Sequence, residues 1–187
     1  SPDLYYMDSS VWKSSVFNSE YVTVAGRPEI VDLGTSTLYV YDSVKYAEIF
    51  SNMMASTQSL NYPPAGYTYG VVTATTLADN DYDLFRDELK TDRINYLRSD
   101  TSTCMWEQRT TYALNSDLSY IAPVFILDDL VDQFINFEKM FTFRYQSAED
   151  LLLQSNGLND ICKGFAQKGF IWSYNVKVPS FADVIAS

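Results

Sequence analysis

No histidine occurs in the 187 residues. That absence removes the commonest general base, the commonest metal ligand, and both the Ser-His and Cys-His nucleophile arrangements. Only two cysteines are present, Cys104 and Cys162, far apart and without a C-x-x-C pair, so a zinc site would lack ligands. Both stand among apolar neighbours, and buried free thiols are expected rather than a disulfide. Glycine is scarce: the seven present never form G-x-G-x-x-G or a phosphate loop. No serine sits in G-x-S-x-G. Positive charge is also thin, with Lys+Arg 13 against Asp+Glu 24 and a net charge of −11. Such a surface repels a phosphate backbone, and no basic cluster is available to hold an anionic membrane. No apolar run reaches the ~18 residues of a membrane span, and Ser1-Pro2-Asp3 lacks the basic start of a signal peptide. These absences predict a protein with no catalytic residues, no cofactor, no metal, no nucleic-acid partner and no membrane insertion. The start without Met and the stop at Ala186-Ser187 lead us to expect a fragment of a longer chain.

What is present in excess is aromatic. Fifteen Tyr and eleven Phe bring aromatic residues to 16%, which suits a ring-rich core or a contact surface. The length allows one compact domain over 1–187, with or without a small N-terminal lobe over 1–36. Along the chain, Glu20–Ala25 reads as a strand ending at Gly26-Arg27-Pro28, and Thr37–Tyr41 as a second strand after Gly34. Asp42 or Ser43 caps a helix whose apolar residues Val44, Ala47, Phe50 and Met54 recur at helical spacing, with Met53 and Met54 as core filler. Gly70–Thr75 reads as a buried strand, and residues 80–91 as an acidic helix with Leu84, Phe85 and Leu89 inward. Ile94–Arg98 and Thr103–Gln108 flank a polar turn and predict a hairpin. From Ser116 a long apolar-periodic segment carries Ile126, Leu130, Phe134 and Phe137 on one side, with Pro123 in its first turn. Ser147-Ala-Glu-Asp150 is a capping box opening a helix through Leu151–Ala166, kinked at Asn156-Gly157 and closed by Gly169. Strict alternation over Phe170–Val178 predicts a final strand with one buried face. The sum is α+β: a mixed β-sheet packed by several α-helices.

Two acidic groups have spacings that bear on chemistry. Asp79, Asp81 and Asp83 are spaced like calcium-loop ligands, but Leu84 and Lys90 occupy the places of the required glycine and distal glutamate. A helix N-terminus carrying acids that favour the macrodipole explains them better. Asp128 and Asp132 lie four apart, on one helical face, as paired carboxylates of a hydrolase would, and as a solvated helix face would also have them.

The stretch Asn61-Tyr-Pro-Pro-Ala-Gly-Tyr-Thr-Tyr-Gly70 puts two prolines, two glycines and three tyrosines into ten residues. Pro63-Pro64-Ala65-Gly66, then Gly70-Val71-Val72, leads through an acidic segment to Ile94-Asn95. Next come Trp106-Glu107-Gln108-Arg109-Thr110 and a Ser-rich approach to a long helix over Ser116–Ile121. In this order, over roughly residues 40–180, the marks resemble the sheath proteins of contractile phage tails and related contractile injection systems. The resemblance implies architectural roles for Pro63, Pro64, Ala65, Gly66, Gly70, Asn95, Trp106, Gln108, Arg109 and Thr110. It implies a structural subunit that stacks in rings around a tail tube and contracts to drive the tube through a host envelope. Its implied partners are neighbouring sheath subunits, the tube protein and the baseplate. Its implied location is the tail sheath of a virion, with assembly in the host cytoplasm. There are departures. Glu107 stands where the family usually has Gly, and Ala122-Pro123-Val124 stands where Arg pairs are common. No arm that would insert strands into a neighbour's sheet is evident. These departures imply a divergent member, such as one from a very large phage, reduced to its core.

Two other functions compete. One is a non-catalytic carbohydrate-binding module using exposed rings such as Tyr67, Tyr69 and Trp172; the other is a hydrolase built on Asp128 and Asp132. Arg109 is expected to pair with a carboxylate inside the fold, for example on the 80–91 helix, or else to reach a neighbouring subunit.

Overall fold

A computed structural model describes residues 17–25, 29–32, 36–40, 42–73, 86–114, 116–144 and 147–179. Its elements run β1 (Val24–Ala25), β2 (Glu29–Asp32), β3 (Thr37–Val40), α1 (Asp42–Thr57), α2 (Gly66–Tyr69), α3 (Arg86–Thr91), β4 (Ile94–Asn95), β5 (Leu97–Ser99) and β6 (Thr103–Met105). A 3₁₀ turn (Asp117–Ser119) leads into α4 (Ile121–Glu138), a second 3₁₀ turn (Lys139–Phe141) and α5 (Ala148–Gln167). The class is α+β. Among the described residues the strands form three pairs: β1 with β4 in parallel, β2 with β3 and β5 with β6 antiparallel. The β5–β6 hairpin turns through Asp100–Ser102, as its polar spacer predicts, with Arg98 opposite Cys104.

Two compact units divide the chain between Phe125 and Ile126. In the first, Tyr46, Ile49, Met53, Val72, Leu97, Met105 and Ile121 form the core, with Phe50 and Phe125 packed against it. Each such side chain removed from water contributes about 1.5–3 kcal/mol. A smaller cluster joins Leu89, Ile94 and Tyr96. The phase of α1 differs from the sequence expectation. Its buried face is Lys45, Tyr46, Ile49 and Met53, whereas Val44 and Met54 are 56% and 46% exposed. Apolar residues occur on both sides of this helix, so their period establishes a helix without saying which side faces inward. Lys45 can be buried because its Nζ donates to Glu48 Oε2 at 2.9 Å and to Thr73 O at 2.7 Å.

The strand expected over Gly70–Thr75 is a single bridge, Val71 to Cys104, flanked by Val72 N–H to Thr103 O (3.0 Å) and Met105 N–H to Gly70 O (2.8 Å). It goes no further in the described residues because Thr73 is claimed by side chains. Its N–H donates to Glu48 Oε1 at 2.8 Å, and its carbonyl accepts from Lys45. Both cysteines are buried free thiols, and burial pushes each thiol up from its ordinary value, which keeps them protonated.

The helix ends follow local rules closely. Pro123 lies in the first turn of α4. At the start of α5, Ser147 Oγ accepts from Asp150 N–H at 3.1 Å and Asp150 Oδ2 accepts from Ser147 N–H at 3.3 Å, the reciprocal box read from the sequence. At its far end Gly169 takes φ +75°, and its N–H bonds Ala166 O at 3.0 Å. α5 is one continuous helix through Asn156-Gly157. Gly157 serves close packing: a Cβ at this position would overlap the Phe137 ring. The strand expected over Phe170–Val178 is absent. Those residues have no ladder partner among the described residues, Trp172 is fully exposed, and Val176 and Val178 are only half-buried. Alternation prepares a segment for pairing, but a strand also needs a neighbour to take its N–H and C=O groups.

Candidate functional site

The motif residues singled out in the sequence fall at two places in the first unit. The first is the loop from Asn61 to Gly70. Pro64 is fully buried, Pro63 is exposed, and Ala65 is the extended residue preceding α2. Gly66 opens α2 at φ +74°, a left-handed conformation that a side chain would strain. Gly70 closes the turn, its N–H bonding Gly66 O at 3.0 Å, and a Cβ there would sit 2.5 Å from Ala65 Cα. Since Gly70 O is also the acceptor for Met105 N–H, the turn delivers the chain to the edge of β6.

The second place is Trp106–Thr111, which works as a hub of tertiary hydrogen bonds. Asn95 is fully buried. Its Nδ2 donates to Val24 O at 3.1 Å and to Arg109 O at 2.8 Å, while its Oδ1 accepts Arg109 N–H. One amide therefore ties β1 to the segment after β6, and every polar atom of that amide has a partner. Gln108 receives the start of α4: its carbonyl accepts Ile121 N–H at 2.9 Å and its Oε1 accepts Ala122 N–H at 3.4 Å. Two of the N–H groups that a helix start leaves unpaired are thus satisfied from a remote strand end. Thr110 Oγ1 donates to Leu118 O at 2.7 Å, and its N–H donates to Ser119 O at 3.0 Å. Trp106 N–H bonds Tyr96 O at 2.9 Å, with the Arg98 guanidinium 4.6 Å over the Trp106 ring and Tyr67 edge-on at 5.9 Å.

Arg109 stacks on Tyr120, its guanidinium 4.4 Å from the ring centroid. The carboxylate it meets is Glu107, at 3.5 Å from Nε, not one on α3. That contact is an ion pair by distance but lacks hydrogen-bond geometry, and Nε is buried without a hydrogen-bond partner. Glu107 therefore has a structural use: its side chain faces Arg109 and its carbonyl accepts Tyr46 O–H at 3.2 Å.

Residues not singled out in the sequence complete the hub. Thr111, fully buried, bonds Val22 O through its N–H (2.8 Å) and Ser19 O through its hydroxyl (2.9 Å). Ser119 Oγ donates to the Leu114 and Ser116 carbonyls. Arg93 Nη2 donates to Ala113 O at 2.6 Å. Single polar residues without periodicity leave no sequence signal beyond their types.

Tyr67 O–H donates to Asp100 Oδ2 at 3.2 Å and packs on Trp106, whereas Tyr69 packs on Tyr62 at 4.8 Å, so the two rings serve different partners. Trp172, fully exposed, belongs to the second unit. Asp128 is half-buried and Asp132 exposed on α4, and no described basic or polar side chain bonds to either. No group of three His, Cys, Asp or Glu that could hold a metal occurs among the described residues, and no described helix is long and apolar enough to cross a membrane. Asp79, Asp81 and Asp83 lie outside the described residues.

No family model matches the chain, and no curated protein matches it significantly. Solved structures do. A chain of the anti-feeding prophage helical sheath in its contracted state superposes with a TM-score of 0.69 at 18% identity, covering 83% of this chain and 43% of that one. A chain of the anti-feeding prophage baseplate superposes at 0.67, also at 18% identity, covering 81% and 41%. This chain thus spans less than half the length of the chains it matches. The chain thus shares the fold of these sheath and baseplate chains, the fold its proline-glycine loop and Gln-Arg-Thr element had implied.

Proposed function

We propose that the chain is the core of a contractile sheath subunit. On this proposal it stacks with copies of itself in rings around a tail tube, abuts a baseplate, and re-docks on contraction to push the tube through a host envelope and deliver a genome. It works without catalysis, in the tail sheath of a virion, after assembly in the host cytoplasm. One observation carries the proposal: the fold match to a contracted helical sheath extends over 83% of the chain. Energetically, the first unit is suited to moving as a rigid body while its surface contacts exchange. Its buried polar groups are tied across long sequence separations by Asn95, Gln108, Thr110 and Thr111.

The full-length protein, purified alone at high concentration and viewed by negative-stain electron microscopy, should form hollow tubes of one constant diameter with helical striation. A monodisperse monomer across all salt conditions would overturn the proposal. A glycan-binding screen would then be the next measurement.

A further inference from the structure

One strand edge in the first unit is closed by side chains and not by another strand. The segment Gly70–Val72 lies along β6, with Gly70 O and Val72 N–H turned toward it. Backbone groups alternate in direction along an extended chain, so those of Val71 and Thr73 point the other way, to the outer edge. At Thr73 both are taken by α1: Glu48 Oε1 accepts the N–H at 2.8 Å, and Lys45 Nζ donates to the carbonyl at 2.7 Å. The two side chains also bond each other at 2.9 Å, which makes the clamp a closed set of contacts. Val71 has no such cover. Among the described residues no hydrogen bond reaches its N–H or C=O, its side chain is exposed, and it lines a groove of about 280 Å³ with Asn52 and Ser56 of α1. The outer edge is therefore open at Val71 and shut at Thr73. Water would satisfy Thr73 without drawing any charge inward, yet Lys45 is only 7% exposed, which is rare for a lysine. Hydrogen bonding alone does not explain the pair. An edge with unpaired N–H and C=O groups is a template for another strand, and lysines and covering helices are the devices that blunt it.

We propose that Lys45 and Glu48 guard this edge, and that what they exclude is the same edge of a second copy of the chain. An antiparallel edge is complementary to itself. Two copies related by a two-fold axis at Val72 would join Val71 of each to Thr73 of the other, N–H to C=O in both directions. With Thr73 held by α1, only Val71 is left to pair, and each hydrogen bond contributes too little by itself to hold two chains together. None of these contacts depends on the sheath function.

The test reads amide hydrogen exchange at Val71 and Thr73 in the full-length protein over a range of concentrations. In the wild type Thr73 N–H should be protected and Val71 N–H open at every concentration; free exchange at Thr73 would overturn the clamp. Lys45→Met combined with Glu48→Leu removes both contacts and keeps the side-chain volume. In that variant Thr73 should exchange freely at low concentration, and both amides should gain protection together as concentration rises. The edge pairing so measured should be about tenfold tighter than in the wild type, or more. Glu48→Ala alone alters a side chain that is 27% exposed, so the fold is kept, and it should give the same gain at higher concentration. No concentration-dependent protection of Val71 in either variant would overturn the guard. Adding Val71→Lys to the double variant puts a charge on the open edge and should abolish the gain. A gain that survives this addition would overturn edge pairing as its source. Stacking into tubes through other surfaces leaves both amides unmoved, so failure of the sheath function and failure of the guard are read separately.

Discussion

The two units hold themselves together by different means. In the first, the decisive contacts span the sequence: Asn95 reaches Val24, Thr111 reaches Ser19 and Val22, and Gln108 receives the first N–H groups of α4. In the second, the contacts that shape it are local: a capping box within four residues, a left-handed glycine at the helix end, and Phe137 set edge-on to Phe141 at 5.4 Å. α4 leaves Leu127, Val131 and Ile135 exposed at helical spacing, and α5 leaves Leu152 and Leu153. A buried polar network has one satisfactory geometry and is intolerant of losing a member; an amphipathic helix pair tolerates change because each cap or contact contributes separately.

That contrast can be broken from either side. The largest effect is expected from Asn95→Leu, which keeps the volume but leaves Val24 O and the Arg109 N–H and C=O unpaired in the interior. Roughly 3 kcal/mol or more should be lost, lowering the melting temperature by about 6–12 °C. A loss no greater than that of an exposed substitution would show that the hub does not hold the first unit together. Ser147→Ala removes the α5 cap and should cost about 1 kcal/mol, or about 2–4 °C by calorimetry. A larger drop than that of Asn95→Leu would invert the comparison. The smallest effect is a pH dependence. Burial pushes the Glu48 carboxyl up, but the Thr73 N–H, Lys45 and Thr73 side-chain contacts outweigh it and leave the group below its ordinary 4.5. Its contribution to stability is therefore full above that value and is lost as pH falls through it toward the folded pKa. Glu48→Gln should flatten that part of an acid-unfolding curve, and an unchanged curve would remove Glu48 as a lock on Thr73.

Much of the chemistry at the helix ends could be read directly. Ser147, Asp150, Pro123 and Gly169 act within a few residues of themselves, and backbone chemistry at a helix end is the same in any fold. The β5–β6 hairpin was legible for the same reason. Phe170–Val178 was not, because alternating residues describe only one half of a ladder. Val44 and Met54 misled because both sides of α1 carry apolar residues. In the candidate site, the loop and the Gln-Arg-Thr element were legible as a family likeness, and Gly66 and Gly70 also as backbone requirements. The partner of Arg109 was not, since the nearest carboxylate in space is Glu107, two residues away, and not one on α3. Arg93 gave no signal at all.

The amino-acid sequence by itself determined the α+β class, the helix ends, the absence of histidine chemistry and the left-handed glycines, since each depends on a residue's own covalent structure or its immediate neighbours. Tertiary structure alone decided which face of α1 is buried, that Thr73 is held by Lys45 and Glu48, and that Asn95 and Thr111 tie the ends of the first unit together. Those outcomes turn on which groups the folded chain brings within hydrogen-bond distance, and a one-dimensional pattern carries no record of that distance.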